Sequence, residues 1–345
     1  MIEKIYNIHN MIKFKIVAER FSGRLDIEYK NFECNHSDDF DFIISIGDFI
    51  PSNDDCIIAD KTYYIKKNYF YCKDSHKFGS WKIELLGLEE HNMKVNISTN
   101  TVGNYAADMF ICAFLIDFLI RFKMEQKGYS MVHSSAVSKD GKAYLFPSHS
   151  GAGKTTTAVY FTKEGYQFLG DDFVILDRGD VFSYLTPLNI FAYNLRPFIK
   201  NFGFLDKQIL GLKNLIYSAT AGNIKIFTKL NPADIFKGKV CEKSKLNGIF
   251  LLVASEDFCK ERVSREKVLN NLYINQKLES FPFIKYIEEY GYVFPESSAA
   301  KYWDKCQANL IKNIGDNANF FSLRIPKVYN DDIFECVKGA VECQK

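Results

Sequence analysis

The sequence predicts an α/β protein in two parts: a β-rich amino-terminal domain, residues 1–103, and a domain in which strands alternate with helices, residues 129–345, joined by a helix over 104–128. Three observations predict it. Short runs that alternate apolar and polar residues fill the first hundred positions, and a long apolar stretch follows them. Beyond Gly128 a strand, a glycine-rich turn and a helical segment succeed one another.

The amino-terminal runs are Lys13–Val17, Leu25–Tyr29, Thr62–Ile65 and Lys82–Leu86, and they predict a mostly antiparallel sheet. Residues 1–100 hold 13 basic and 16 acidic side chains. They contain no phosphate loop, ligand cluster or nucleophile motif, so this part reads as an accessory domain. The apolar stretch Tyr105–Phe122 contains Asp108 and Asp117 and has an uninterrupted core of only Met109–Ile116, too short to span a bilayer. It predicts a buried helix from Asn104 to Lys127, stopped at Gly128 by a left-handed glycine.

Composition narrows the partners. The chain of 345 residues is 47% apolar and carries 44 basic against 42 acidic side chains, a formal charge of +2 that gives no polyanion-binding signature. Nucleic acid and membrane are therefore not expected partners, and self-association is left open. Nine scattered cysteines without a Cys-x-x-Cys pair read as reduced thiols. The start, Met1-Ile-Glu-Lys-Ile-Tyr6, lacks the order of a secretory signal, so a cytoplasmic location is expected.

The second domain opens with Met131–Val137 as a strand, Lys139-Asp-Gly141 as a tight turn and Lys142–Phe146 as the returning strand. Ser148-His-Ser-Gly-Ala-Gly-Lys-Thr155 follows, and Thr156–Phe161 has helical character that ends before Gly165. A strand, a glycine-rich turn, a lysine, a hydroxyl and a helix form the context of a phosphate-binding loop. Small residues let consecutive backbone N–H groups converge on phosphate oxygens, and the helix presents its positive end to the same anion. The candidate nucleotide-binding residues are thus Ser148, His149, Ser150, Gly151, Ala152, Gly153, Lys154, Thr155 and Thr156. Lys154 would reach the β- and γ-phosphates and Thr155 would offer its hydroxyl to Mg²⁺. The first position is Ser148, where the usual pattern has glycine.

Gly165–Asp177 reads as strand, acidic pair, strand, with Asp171 and Asp172 lying 16 and 17 residues after Thr155. Two adjacent carboxylates at a strand end can divide the labour of holding Mg²⁺ and accepting a proton. His133 sits on the neighbouring predicted strand. The Arg178-Gly-Asp180 triplet is a hairpin turn. Residues 196–245 carry ten basic side chains against three acidic ones, either a solvated face or a surface that draws in phosphate or an acidic acceptor. A core strand at Ile249–Val253, helices near 264–275, 298–314 and 330–343, and a strand at Asn319–Ile325 complete the α/β domain.

Taken together, His133-Ser-Ser-Ala-Val137, the loop Ser148–Thr155 and Gly170-Asp-Asp172 resemble the catalytic core of the HPr serine kinase/phosphorylase family, whose nucleotide domain has the phosphoenolpyruvate-carboxykinase type of fold. The resemblance implies a P-loop kinase domain over 129–345 that transfers the γ-phosphoryl group of ATP to a hydroxyl on a protein, peptide or small molecule. It makes Asp172 the proton acceptor, places His133 and Lys154 near the transferred phosphate and Thr155 on Mg²⁺, and leaves Asp171 as the metal-side carboxylate. The likeness runs from His133 to Asp177. Between Asp180 and Asp206 the chain has no acidic residue, whereas the HPr-specific enzymes carry a further acidic metal ligand on a later segment, so a relative with another acceptor is implied. A non-catalytic nucleotide-binding module is the alternative, and a true carboxykinase would be larger.

Overall fold

The computed structural model describes residues 1–19, 27–76, 79–101, 115–149, 151–190, 228–279, 283–327 and 329–343. In chain order its first elements are β1 (Ile2–Ile8), β2 (Ile12–Ala18), β3 (Glu33–Cys34), β4 (Phe42–Ile46), β5 (Ile57–Ala59), β6 (Tyr63–Lys66), β7 (Tyr69–His76), β8 (Gly79–Leu86), β9 (Met93–Thr101) and α1 (Asp117–Gln126). Then come β10 (Ser130–Val132), β11 (Ser134–Lys139), β12 (Lys142–Pro147), α2 (Lys154–Lys163), β13 (Gln167–Gly170), β14 (Val174–Asp177), β15 (Asp180–Phe182), β16 (Leu188–Ile190), β17 (Thr228–Leu230) and α3 (Pro232–Ile235). The chain closes with β18 (Lys243–Ser255), β19 (Cys259–Arg262), α4 (Arg265–Leu278), α5 (Ile284–Val293), α6 (Tyr302–Asn313), β20 (Asn319–Pro326) and α7 (Asp331–Glu342).

Two compact units partition these elements: Met1–Ser130 with Lys277–Asn309, and Met131–Gln276 with Leu310–Lys345. The sequence reading placed everything after residue 129 in one domain. Residues 277–309, with α5, instead cluster with the amino-terminal unit, because helical periodicity tells that a face is buried and not which sheet buries it.

The first unit is built on a nine-stranded sheet in the order β3-β1-β2-β4-β9-β8-β7-β6-β5. It is mostly antiparallel, as expected, with β4 alone among the described strands running parallel to its neighbours, β2 and β9. Alternation along β2 buries Ile12, Phe14, Ile16 and Ala18 on one face. Phe14 stacks on Tyr6 and Phe42 at 4.8 and 4.9 Å between centroids, contacts worth about 0.5–1.5 kcal/mol each beyond their buried area. The expected strand Leu25–Tyr29 does not form over its described part; residues 27–28 are helical and a short 3₁₀ turn, Lys30–Phe32, follows. That turn seats the fully buried Tyr29 edge-on against Tyr6 and Phe14, and its hydroxyl donates to Asp117 Oδ1 at 2.9 Å. Of the expected helix from Asn104 to Lys127, α1 is the described part. It ends as predicted, with Gly128 at φ +89° and the N–H groups of Gly128 and Tyr129 bonding back to Glu125 and Met124.

The second unit holds another mixed sheet, in the order β10-β14-β15-β18-β12-β11-β13, with β20 on β18 and β19 on β20. β12, β18 and β20 run parallel to one another, and the hairpins flanking them are antiparallel. Strand periodicity sends neighbours to opposite faces. Phe146 and Phe250 enter one core with Phe161 of α2 and Phe334 of α7, while Leu145 and Ile249 enter the other with Leu272 of α4 and Leu310. Phe146 stacks on Phe161 at 5.4 Å and is fully buried, which stabilises α2 on the sheet by about 2 kcal/mol. Among the described residues no helix is long and apolar enough to cross a membrane.

Candidate functional site

The β11–β12 hairpin sets the loop. Asp140 and Gly141 both have positive φ, as the two-residue turn demands, and the register pairs Lys139 with Lys142 and Ser134 with Pro147. β12 therefore delivers the chain to Ser148 at the end of a core strand, and α2 begins at Lys154. Ser148 is buried, its hydroxyl donating to the His149 carbonyl at 2.9 Å; His149 and Gly151 are exposed, Ala152 is buried and Thr156 half-buried. Ser150 lies outside the described residues.

Gly153 precedes the first turn of α2 with φ +89°, and a Cβ there would stand 2.9 Å from Cδ2 of Tyr329. The position therefore needs glycine twice over, for its backbone angle and for the ring beneath it. Tyr329 is anchored by the Thr157 hydroxyl, which donates to its oxygen at 3.0 Å. The sequence does not point to Tyr329, and it gives no role to the hydroxyl of Ser135 in the His133–Val137 segment, which donates to the Lys154 carbonyl at 3.0 Å. Tyr329 is separated from the loop by most of the domain, so no local pattern could have found it.

Lys154 curls over its own loop, the ammonium donating to the Ser148 carbonyl at 2.9 Å. The Thr155 hydroxyl donates to Asp171 Oδ2 at 2.8 Å. The structure thus joins two residues that the sequence proposed separately. Asp171 is 6% exposed, and its Oδ1 is buried without a hydrogen-bond partner among the described residues. Burial first, and then the neighbouring Asp172 charge, push its carboxyl up to about 7, with the Thr155 hydroxyl and the Lys154 charge working in the opposite direction. Among the described residues no group of three or more His, Cys, Asp or Glu could hold a metal. A hydroxyl and a carboxylate with an unsatisfied buried oxygen are nevertheless a fitting donor set for Mg²⁺, which takes few protein ligands beside phosphate oxygens and water.

Because Asp171 ionises less readily in the fold than at its ordinary 3.8, the native state holds its proton through a pH range in which the unfolded chain has lost it. The stability it contributes is fully present below pH ~3.8 and is lost as pH rises through about 7. In metal- and nucleotide-free buffer, thermal unfolding of Asp171→Asn should lack this part of the decline, so that the variant gains on the wild type between about pH 4 and about pH 7. A wild-type and variant pair with parallel pH profiles would contradict it.

The acidic pair is set by Gly170. β13 pairs with β11 through Ala136 and Gly170, next to a bulge, and a Cβ on Gly170 would lie 2.6 Å from the Phe173 carbonyl and 2.9 Å from Val174 Cγ1. Here the requirement is close approach of backbone to backbone, and the atom in the way cannot move aside. Gly170→Ala should lower stability by about 1–3 kcal/mol, read from the denaturant midpoint, and displace both aspartates. A variant as stable as the wild type would show that the turn relaxes.

Asp172 is half-buried, and its Oδ2 accepts a hydrogen bond from Asn189 Nδ2 on β16 at 3.2 Å. Asn189 is a site residue that sequence reading missed. It sits in the apolar, aromatic stretch 183–195, where one amide carries no periodic signal. His133 falls in the break between β10 and β11, so the expected continuous strand Met131–Val137 is interrupted at this residue. Its ring is buried against Phe173, the residue that follows the acidic pair, at 5.4 Å between centroids, and its carbonyl accepts from Asn275 Nδ2 at 3.3 Å. Of the basic run 196–245, positions up to 227 lie outside the described residues. Within the remainder Lys243 and Lys245 pair with Asp180, and Lys239 donates to the Thr162 carbonyl.

No family model matches the sequence, and no curated protein does. Among solved structures, the HPr(Ser) kinase/phosphatase from Coxiella burnetii is similar over 44% of this chain and 97% of that chain, at 12% identity and a TM-score of 0.23. A likeness at that level carries no argument about activity, so the functional reading rests on this chain's own residues.

Proposed function

We propose that the protein is an ATP-dependent kinase that transfers the γ-phosphoryl group to a hydroxyl, the serine of a protein or peptide or a small-molecule alcohol. The observation that carries this reading is the Thr155–Asp171 hydrogen bond at the start of α2, with Asp172 next in the chain. It links the loop that would hold phosphate to a carboxylate that would stand on the metal side, with a second carboxylate adjacent that would serve as base.

The loop amides and the positive end of α2 would cradle the β- and γ-phosphates, and Lys154 would exchange the Ser148 carbonyl for a phosphate oxygen. Thr155 and Asp171 would hold Mg²⁺, whose chemistry is to neutralise charge on the phosphate oxygens. Asp172, oriented by Asn189, would take the proton of the acceptor hydroxyl. The acceptor oxygen then bonds to the γ-phosphorus as the bridge to the β-phosphate breaks, and ADP leaves with that electron pair. His133, buried beside Phe173, would flank the transferred group.

Calorimetry with Mg-ATP, followed by labelled ATP with a cell extract, tests the reading. The wild type should bind Mg-ATP and label an acceptor, and Lys154→Ala should lose both. No heat from Mg-ATP would remove the loop assignment. Binding without transfer to any species in the extract would favour a regulatory nucleotide module.

A further inference from the structure

Outside the proposed site, the first unit contains a cavity of ≈ 260 Å³. Two of its lining residues, Lys123 and Asp41, are almost wholly buried at 2% and 3% exposed, and Glu89, Glu90, Lys127 and Lys305 share the lining. Three ammonium groups and three carboxylates thus meet in one small space.

They do not all pair. Lys127 Nζ stands 2.6 Å from Asp41 Oδ1, and His91 Nδ1 is 3.6 Å from the same oxygen, so Asp41 is answered. The other four charges are bonded to neutral groups. Lys123 Nζ donates to the Glu90 carbonyl at 2.6 Å and Lys305 Nζ to the Gln126 carbonyl at 2.7 Å. Glu89 accepts from the Tyr290 hydroxyl at 2.7 Å and the Ser298 N–H at 3.2 Å, and Glu90 accepts from Asn68 Nδ2 at 3.0 Å. Among the described residues none of these two ammonium groups lies within 4.0 Å of a carboxylate oxygen. The charges are held in place by neutral partners, with no close ion pair to Lys123 or Lys305 among the described residues.

A buried ammonium without a counter-charge is costly, and Lys123 keeps N–H groups in hand after its one carbonyl. Burial pushes it down to about 8; Asp41 and Glu90 act against that and Lys127 with it. An incoming carboxylate would supply the missing partner. A dianion would not suit, because Glu89 and Glu90 repel it, whereas a ligand that also carries an ammonium meets both signs of the lining. The volume sits just below the ~300–1,000 Å³ of sites for drug-sized ligands, which favours a small ligand.

We infer that this cavity binds a small zwitterion, a free amino acid or a dipeptide, with its carboxylate on Lys123 and Lys305 and its ammonium towards Glu89 and Glu90. The site is independent of the kinase reading and stands or falls without it.

The test is calorimetry of the full chain with each protein amino acid and glycylglycine at millimolar concentration, against succinate and inorganic phosphate. At least one zwitterion should give saturable heat and exceed both anions. Lys305→Gln, at an exposed position, should weaken it by about tenfold or more, equal to about 1.4 kcal/mol. Lys123→Met should abolish it, and Glu90→Gln should weaken the zwitterion while improving succinate. If Lys123→Met does not fold, the two exposed variants decide the matter. Silence from every zwitterion, anions binding as well as zwitterions, or binding unchanged in both Lys305→Gln and Glu90→Gln would each overturn the inference.

Discussion

Replacing Asp172 by Asn should slow phosphoryl transfer by about a hundred- to ten-thousand-fold, the usual contribution of a general base, while leaving Mg-ATP affinity within a few-fold. The transition state of such transfers is loose, so in the proposed reaction most of the acceleration would come from positioning and charge neutralisation by the loop amides, Lys154 and the metal side of the site. The base would act late, on the acceptor's proton, and binding of the nucleotide would not need it. Asn preserves the size of the side chain and still offers an oxygen to Asn189 Nδ2, so the geometry around β16 should hold. Asp171→Asn should behave differently: it removes the charge beside the Thr155 hydroxyl and should shift the Mg²⁺ dependence. Single-turnover transfer and calorimetry on both variants separate the roles. An Asp172→Asn protein that transfers at the wild-type rate would end the base assignment. Equal transfer rates in the two variants would point to a nucleotide sensor.

Gly153→Ala should be the most damaging single change to the loop. A left-handed angle of φ +89° costs an L-residue about 1–2 kcal/mol, and the new Cβ, 2.9 Å from the Tyr329 ring, adds about 1–3 kcal/mol of overpacking. The ring cannot yield cheaply, because Tyr329 takes the Thr157 hydroxyl at 3.0 Å and packs with Tyr160 at 6.1 Å between centroids. The two costs can be told apart. In a Tyr329→Ala background the clash disappears and the backbone cost stays, so the double-mutant cycle should show a coupling of about 1 kcal/mol or more between the positions. Denaturant midpoints measure it, and Mg-ATP titration should show the nucleotide lost in Gly153→Ala. Strict additivity would mean that the ring moves aside.

The strand, loop and helix around Ser148–Lys163 were legible in the sequence because each is decided locally: alternation in β12, the turn at Asp140-Gly141, glycines where φ is positive, and the stop at Gly165. The end of α1 at Gly128 was legible for the same reason. So were β18, β20 and the helices α4, α6 and α7, whose periodicity needs no knowledge of a partner. Reading failed where a partner decides. Leu25–Tyr29 alternates like a strand, yet Tyr29 is claimed by Tyr6, Phe14 and Asp117.

The sequence by itself determined which residues are candidates to handle phosphate, since backbone freedom, a lysine and a hydroxyl at fixed spacing are properties of a short segment. Only the tertiary structure decided which side chains complete the site. Asp171 gains its raised carboxyl first from burial in the fold, Asp172 its orientation from Asn189, and Gly153 its second reason to be glycine from Tyr329. Those are contacts between segments that share no local pattern. The same holds for the parallel pairing of β4 and for the clustering of residues 277–309 with the amino-terminal sheet. Burial and charge depend on what surrounds a residue in space, and a one-dimensional pattern records only what surrounds it along the chain.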